Sequence, residues 1–283
     1  MKPRRISLLI ALLFFTTSVY ADIFQETKIN AEKGRALSQY DLAQMYKLGQ
    51  GVEKNDKEAV KWLTKSANQG ITKAQFELGM LYYQGDGIKK DYKEGLKWLV
   101  MAAEQGDGKA QHLLFSIYYS GMGIKKDNTK ALGWLVMAVE SGNLFAQADL
   151  GLLYAQGNDI VKQDYKQAYK WFSAAAAQGE PRAQQSLGNL YRYGYGVEKD
   201  YKKAYEWYKK SAEQGISEAL FALGNMYDNG EYVKQDIEEA VRYYKAAADK
   251  GYEPAKEIIK YHEALAEARK ILEEISTNNK ERK

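Results

Sequence analysis

AQQSLGNLYRYGYGVEKDYKKAYEWYKKSAEQG, Ala183–Gly215, is the stretch whose reading decides the fold. It holds two helical patterns joined by a glycine loop. Outward from it, its tryptophan falls on a ruler: Trp62, Trp98, Trp134, Trp171 and Trp207 stand 36, 36, 37 and 36 residues apart, with Tyr243 in the next slot. Eight residues after each comes a glycine: Gly70, Gly106, Gly142, Gly179, Gly215 and Gly251. A fixed period of this size marks stacked repeats, in which each unit buries its apolar face only against its neighbours.

Repeat two shows what each position does. Ala74, Leu78, Leu81 and Tyr82 fall on one narrow face of a helix at 100° per residue, which predicts the buried stripe of a first helix. Gly79 recurs as Gly151, Gly188 and Gly224, although glycine inside a helix costs roughly 1 kcal/mol relative to alanine. That predicts close approach of a second helix, with a local packing change in repeat three, where Phe115 takes the slot. Asn55, Asp91, Asp127, Asp164, Asp200 and Asp236 stand where the second helix should be capped. Four have Glu or Gln three residues on (Glu58, Glu94, Gln167, Glu239), the capping-box pattern. Trp62, Trp98, Trp134, Trp171, Trp207 and Tyr243 then precede paired small residues, which predicts a structural core stripe.

The pattern A-x3-L-G-x2-Y-x2-G-x-G-(V/I), then Asp, Trp and A-A-x2-G, resembles the Sel1-like repeat family, a relative of tetratricopeptide repeats. Ala183, Leu187, Gly188, Tyr191, Gly194, Gly196, Val197, Asp200, Trp207, Ala212 and Gly215 carry it in the opening stretch. The resemblance implies an all-α fold: a right-handed superhelical solenoid of six helix-turn-helix units with capping helices. The expected boundaries are a signal peptide over 1–21, a capping half-repeat over 22–34, and repeats over 35–251. The repeats divide as 35–70, 71–106, 107–142, 143–179, 180–215 and 216–251. A closing helix over 252–275 and a disordered tail over 276–283 follow. Two departures, one extra residue in the repeat-four loop and Tyr232 in place of a loop glycine, are expected to alter loop shape.

The signal peptide is read from Lys2, Arg4 and Arg5, an apolar run over 6–15, and Val19-Tyr20-Ala21, with cleavage expected after Ala21. The run is well short of the roughly 20 residues a spanning helix needs. Cleavage would lower the formal charge from +4 to +1. A nearly neutral exported chain argues against nucleic acid as partner. There is no cysteine, so stability must come from packing alone. A periplasmic or secreted protein, monomeric and without a membrane span after cleavage, is expected.

No catalytic constellation is visible. His112 and His262 are the only histidines, in distant units, and no Cys/His zinc set can form. No metal, cofactor or enzyme activity is expected. The glycine loops follow helices and lack the strand that a dinucleotide fingerprint requires. A lysine precedes each second helix (Lys54, Lys90, Lys126, Lys162, Lys199, Lys234), an edge that could meet peptidoglycan or another acidic glycan.

The stronger signal is variation within regularity. Counted from each unit's first alanine, positions +2, +6 and +9 fall roughly opposite the buried stripe and would line a concave groove. Phe76, Met80, Tyr83, His112 and Tyr119 make its apolar, aromatic part, with Ser116 lining it beside them. Leu152, Gln185, Asn189, Arg192, Phe221, Asn225 and Asp228 continue it, more polar toward the end. The resemblance implies a scaffold that binds an envelope or host protein there. A β-lactam-binding or hydrolysing activity, linked to cysteine-paired family members, loses its support in a chain without cysteine.

Overall fold

The computed structural model describes the backbone of residues 19–281 and the side chains of 19–274. Residues 1–18, most of the expected signal peptide, lie outside the described residues. Fourteen helices and no strand are present among the described residues. α1 covers 19–32, so the expected cleavage point after Ala21 falls within its first turn. Six helical hairpins follow: α2 (Ala36–Leu48) with α3 (Asp56–Asn68), α4 (Thr72–Gln84) with α5 (Tyr92–Glu104), and α6 (Gly108–Ser120) with α7 (Asn128–Glu140). Next come α8 (Leu144–Gln156) with α9 (Tyr165–Ala177), α10 (Pro181–Tyr193) with α11 (Tyr201–Glu213), and α12 (Ser217–Asn229) with α13 (Ile237–Asp249). α14 (Glu253–Glu281) is the last helix among the described residues and runs beyond 275, where the tail was expected to lose structure. The chain divides into two compact units, up to Asn143 and from Leu144, of three repeats each.

The helices start and stop for the reasons the sequence suggests. The side chains of Asn55, Asp91, Asp127, Asp164, Asp200 and Asp236 all accept from backbone N–H groups of the following turn. The reciprocal half of the capping box is made at none of the four, because the backbone N–H of Asn55, Asp91, Asp164 and Asp236 donates to a tyrosine carbonyl of the first helix; Glu58 turns instead to Lys61 and to the Trp62 indole N–H (3.1 Å), and Glu239 to Arg242 (2.7 Å). Tyr232 corrects one expectation. It adopts φ 65°, close to the 68–72° of the glycines in the same loop slot, so this loop keeps its shape and strains the tyrosine instead. The repeat-four loop does change, closing on Asn158, whose side chain accepts from Ile160 and Val161 N–H.

The deepest second-helix position is one residue past the ruler. Leu63, Leu99, Leu135, Phe172, Tyr208 and Tyr244 are each at most 3% exposed. Trp62 and Trp98 are buried, but Trp134, Trp171, Trp207 and Tyr243 are half-buried. Lysine ammonium groups sit over several indoles, Lys65 4.0 Å above Trp62 and Lys210 4.3 Å above Trp207. The amphipathic ring therefore bridges core and solvent, while the next residue fills the core. The mid-helix glycines answer to that residue. A Cβ on Gly79 would stand 2.8 Å from Leu99, on Gly151 2.7 Å from Phe172, on Gly188 2.4 Å from Tyr208, and on Gly224 2.5 Å from Tyr244.

Successive repeats are also joined by a glutamine ladder. Gln39, Gln75, Gln111 and Gln184 are buried and donate to the carbonyls of Ala31, Ala67, Ala103 and Ala176. Their side-chain oxygens accept from Gln69, Gln105, Ser141 and Gln214 at 2.6–2.9 Å. Each rung thus satisfies buried polar groups that would otherwise cost about 1–3 kcal/mol apiece. At the first unit's start, α1 packs Phe24 edge-on against Tyr46, with ring centres 5.5 Å apart.

Candidate functional site

In the first unit the outward face of α2, α4 and α6 is partly apolar. Phe76, Met80, His112, Ser116 and Tyr119 are half-buried. His112 and Tyr119 both lie against Phe115, at 6.1 and 5.4 Å between ring centres, so the repeat-three packing change is an aromatic row along α6. Tyr83 departs from the groove geometry: it is 8% exposed, packs on Tyr92, and donates its hydroxyl to the Met122 carbonyl. Gly95 makes room for it, since a Cβ there would lie 3.0 Å from the Tyr83 amide nitrogen.

Phe76 and Tyr40 border a recess of about 650 Å³, with Glu77, Lys73, Asp107 and Lys109 around it. Its two acids are already engaged. Glu77 accepts from the Tyr40 hydroxyl (2.6 Å) and Gln44 (2.8 Å), with Lys47 at 3.7 Å. Burial and Glu77 together push the Tyr40 phenol well above its ordinary range. Asp107 caps α6 through the amides of Lys109 and Ala110. The recess thus sets an aromatic wall beside two ammonium groups.

The second unit's outward face is polar and wired into its core. Tyr208 donates to Asn189 (2.7 Å), and Tyr244 to Asn225 (2.9 Å) and Asp228 (3.2 Å). Burial is the main reason both phenols are raised far above their ordinary value. Arg192 is 8% exposed and bonds Glu231 at 2.7 Å. Burial is the largest single influence and disfavours its charge, but the bond to Glu231 together with the neighbouring Glu231, Tyr193 and Tyr208 charges holds the guanidinium pKa up. Arg192, like Tyr83, is therefore an inward residue where the sequence pattern placed it outward. Gln185, Asn189, Phe221, Asn225 and Asp228 are half-buried, and Leu152 is exposed. His262 of α14 reaches Asp228 at 3.0 Å.

The pattern reading missed Glu77, Glu231 and the two core tyrosines. Tyr208 and Tyr244 were visible as the residue after each ruler position, and the ladder as glutamines on the same period. Glu77 and Glu231 carry no periodic signal. Among the described residues no cluster of His, Asp and Glu is arranged to hold a metal ion, and no helix is long and apolar enough to cross a membrane.

Helical hairpins repeating every 36 or 37 residues, each packed on the next within its unit, define an α-helical repeat protein. The Sel1 repeat model matches six times, over 36–71, 72–107, 108–143, 144–180, 181–216 and 217–252, and the chain belongs to that family. A Sel1 repeat protein from Oxalobacter formigenes is 33% identical with a TM-score of 0.71, over 84% of this chain and 95% of that one. A protective antigen of uropathogenic Escherichia coli strains with an SLR fold is also 33% identical, with a TM-score of 0.78 over 84% of this chain. This chain spans 51% of that antigen's length. A Sel1-like repeat protein of Acanthamoeba polyphaga mimivirus is 44% identical over 45 residues, 16% of this chain and 8% of that protein.

Proposed function

We propose that the chain is an exported, non-enzymatic scaffold that binds a protein partner on the outward face of α2, α4 and α6. The observation that carries this reading is the recess beside Phe76. It combines an aromatic wall with Lys73 and Lys109, neither of which takes an ion pair among the described residues, while Glu77 and Asp107 are engaged internally. Aromatic surface next to unpaired charge is what a protein contact uses for anchoring and orientation. Export rests on the basic and apolar start of the sequence, with cleavage after Ala21.

The test is partner capture from the native envelope by the wild-type chain and by Phe76→Glu, Met80→Glu and Tyr119→Glu together. Expected is loss of the captured protein with helicity unchanged. Equal capture by the folded variant overturns the reading. Tyr83 is left out because it is a core residue. Glycan binding along the lysine edge is less favoured. Lys90, Lys126 and Lys199 sit 5.4, 5.1 and 4.5 Å from tyrosine ring centres, and Lys54 pairs with Asp56.

A further inference from the structure

α14 has two apolar faces with separate jobs. The first closes repeat six: Ala255 is fully buried, Ile259 packs on the same cluster, and His262 meets Asp228. These three residues share one side of the helix by their spacing. Further along, that side carries Ala266, Arg269 and Glu273, and every residue from Glu263 to Glu274 is exposed. The capping contact therefore ends near His262, although the helix continues to Glu281.

The second face begins where the first runs out. Ile258, Tyr261, Leu265, Ala268 and Leu272 follow one another at alternating spacings of three and four, flanked by Ala264 and Ile271. At 100° per residue these positions fill an arc of about 140° that contains no charged residue between Ile258 and Leu272. Past Ile258, which is half-buried on the repeat-six cluster, it is uncovered in this structure: Tyr261 is 59% exposed, Leu265 37%, Ile271 50% and Leu272 65%. A helix that served only as a cap would turn polar on all sides once it left the body. This one turns polar on the capping side and stays apolar on the other.

We propose that this face is a coiled-coil seam that pairs α14 with α14 of a second copy of the chain. Alternating three-and-four spacing specifies another helix as the occupant, because knobs at those positions fit only the holes of a helix in matching register. The matching helix on the page is α14 itself, and a seam of this kind is self-complementary about a two-fold axis. Charge permits the pairing. Between Tyr261 and Leu272 stand Glu263 and Glu267 against Arg269 and Lys270, so two copies meet without net repulsion. The segment is also preorganised, being rich in strong helix formers: Ala264, Leu265, Ala266, Ala268 and Arg269. The seam is independent of the α2, α4 and α6 surface and revises the expectation of a monomer.

Sedimentation equilibrium of the purified chain over a wide concentration range tests it. The wild type should populate a dimer, and Leu265→Glu with Leu272→Glu should weaken association at least about tenfold. Lys270→Arg, a charge-conserving change on the far side of the helix, should leave association unchanged. Circular dichroism and the melting midpoint show that the repeats remain folded, and any association through the N-terminal apolar run persists in all three proteins. A wild type that stays monomeric throughout, or a folded double variant that dimerises as well as the wild type, overturns the proposal.

Discussion

The two units run the same ruler to different ends. In the first, the residue past each ruler position is an aliphatic one, Leu63, Leu99 or Leu135. In the second it is Phe172, Tyr208 or Tyr244, each beneath a mid-helix glycine. The larger ring fills the volume the glycine vacates, and a tyrosine there extends its hydroxyl to the far side of the first helix. Tyr208 and Tyr244 thus hold Asn189 and Asn225 in place from below. The first unit has no such reach-through contact from its leucines, and its outward face keeps Phe76, Met80 and the Phe115 row. A one-residue choice in the core therefore sets the chemistry of the opposite surface, because in a two-helix unit the core residue and the outer face are one helix diameter apart.

The largest expected effect tests where the core lies. Trp98→Ala should cost about 3–5 kcal/mol, as large-to-small core changes do. Trp134, half-buried, should lose clearly less on truncation than its neighbour Leu135, whose replacement by alanine should cost about 2–5 kcal/mol. Urea unfolding of the three variants decides it, and a Trp134 loss above that of Leu135 would return the core to the ruler position.

Gly188→Ala should cost about 1–3 kcal/mol through overpacking against Tyr208, even after the gain in helix propensity. Adding Tyr208→Leu recreates the alanine–leucine pair of Ala43 and Leu63 and should recover most of the loss. Additive effects in the double-mutant cycle would break the volume-exchange argument. Gln75→Leu should cost about 0.5–1.5 kcal/mol by removing the second donor to the Ala67 carbonyl, which keeps the Gly70 N–H, and the acceptor of the Gln105 amide. Repeat six supplies the natural contrast, with Leu220 on the glutamine line.

Two smaller effects sharpen the difference. Tyr208 and Tyr244 have folded pKa values raised above the unfolded value of about 10. Their contribution is fully present below pH about 10 and is lost as pH rises toward the folded values, because the unfolded chain releases its protons first. Tyr208→Phe with Tyr244→Phe should flatten the alkaline decline of stability, read by melting midpoints across that range. Tyr232→Gly should stabilise by under about 1 kcal/mol, the relief of left-handed strain being partly offset by glycine's larger unfolded-state entropy.

Most of the fold was legible because each repeat states its own rules. Periodic glycine, aspartate and paired small residues mark where helices end, begin and touch, and six copies average out the exceptions. The outward face was less legible. Position +9 holds Lys47 and Tyr119 at the surface, yet Tyr83 and Arg192 turn inward. Gly95 opens space for the one and Glu231 supplies a partner for the other. Neither determinant shares the period, so a pattern built on the period could not register it.

The sequence by itself determined the repeated helical hairpins, their order and their caps, since these depend on local backbone chemistry and on spacing. Tertiary structure decided which residue on each second helix is the core, which candidate surface residues are taken up inside, and where α14 leaves the body. Those outcomes depend on volume and on partners supplied by neighbouring helices. A helix presents several faces to its surroundings, and only packing selects the one that is covered.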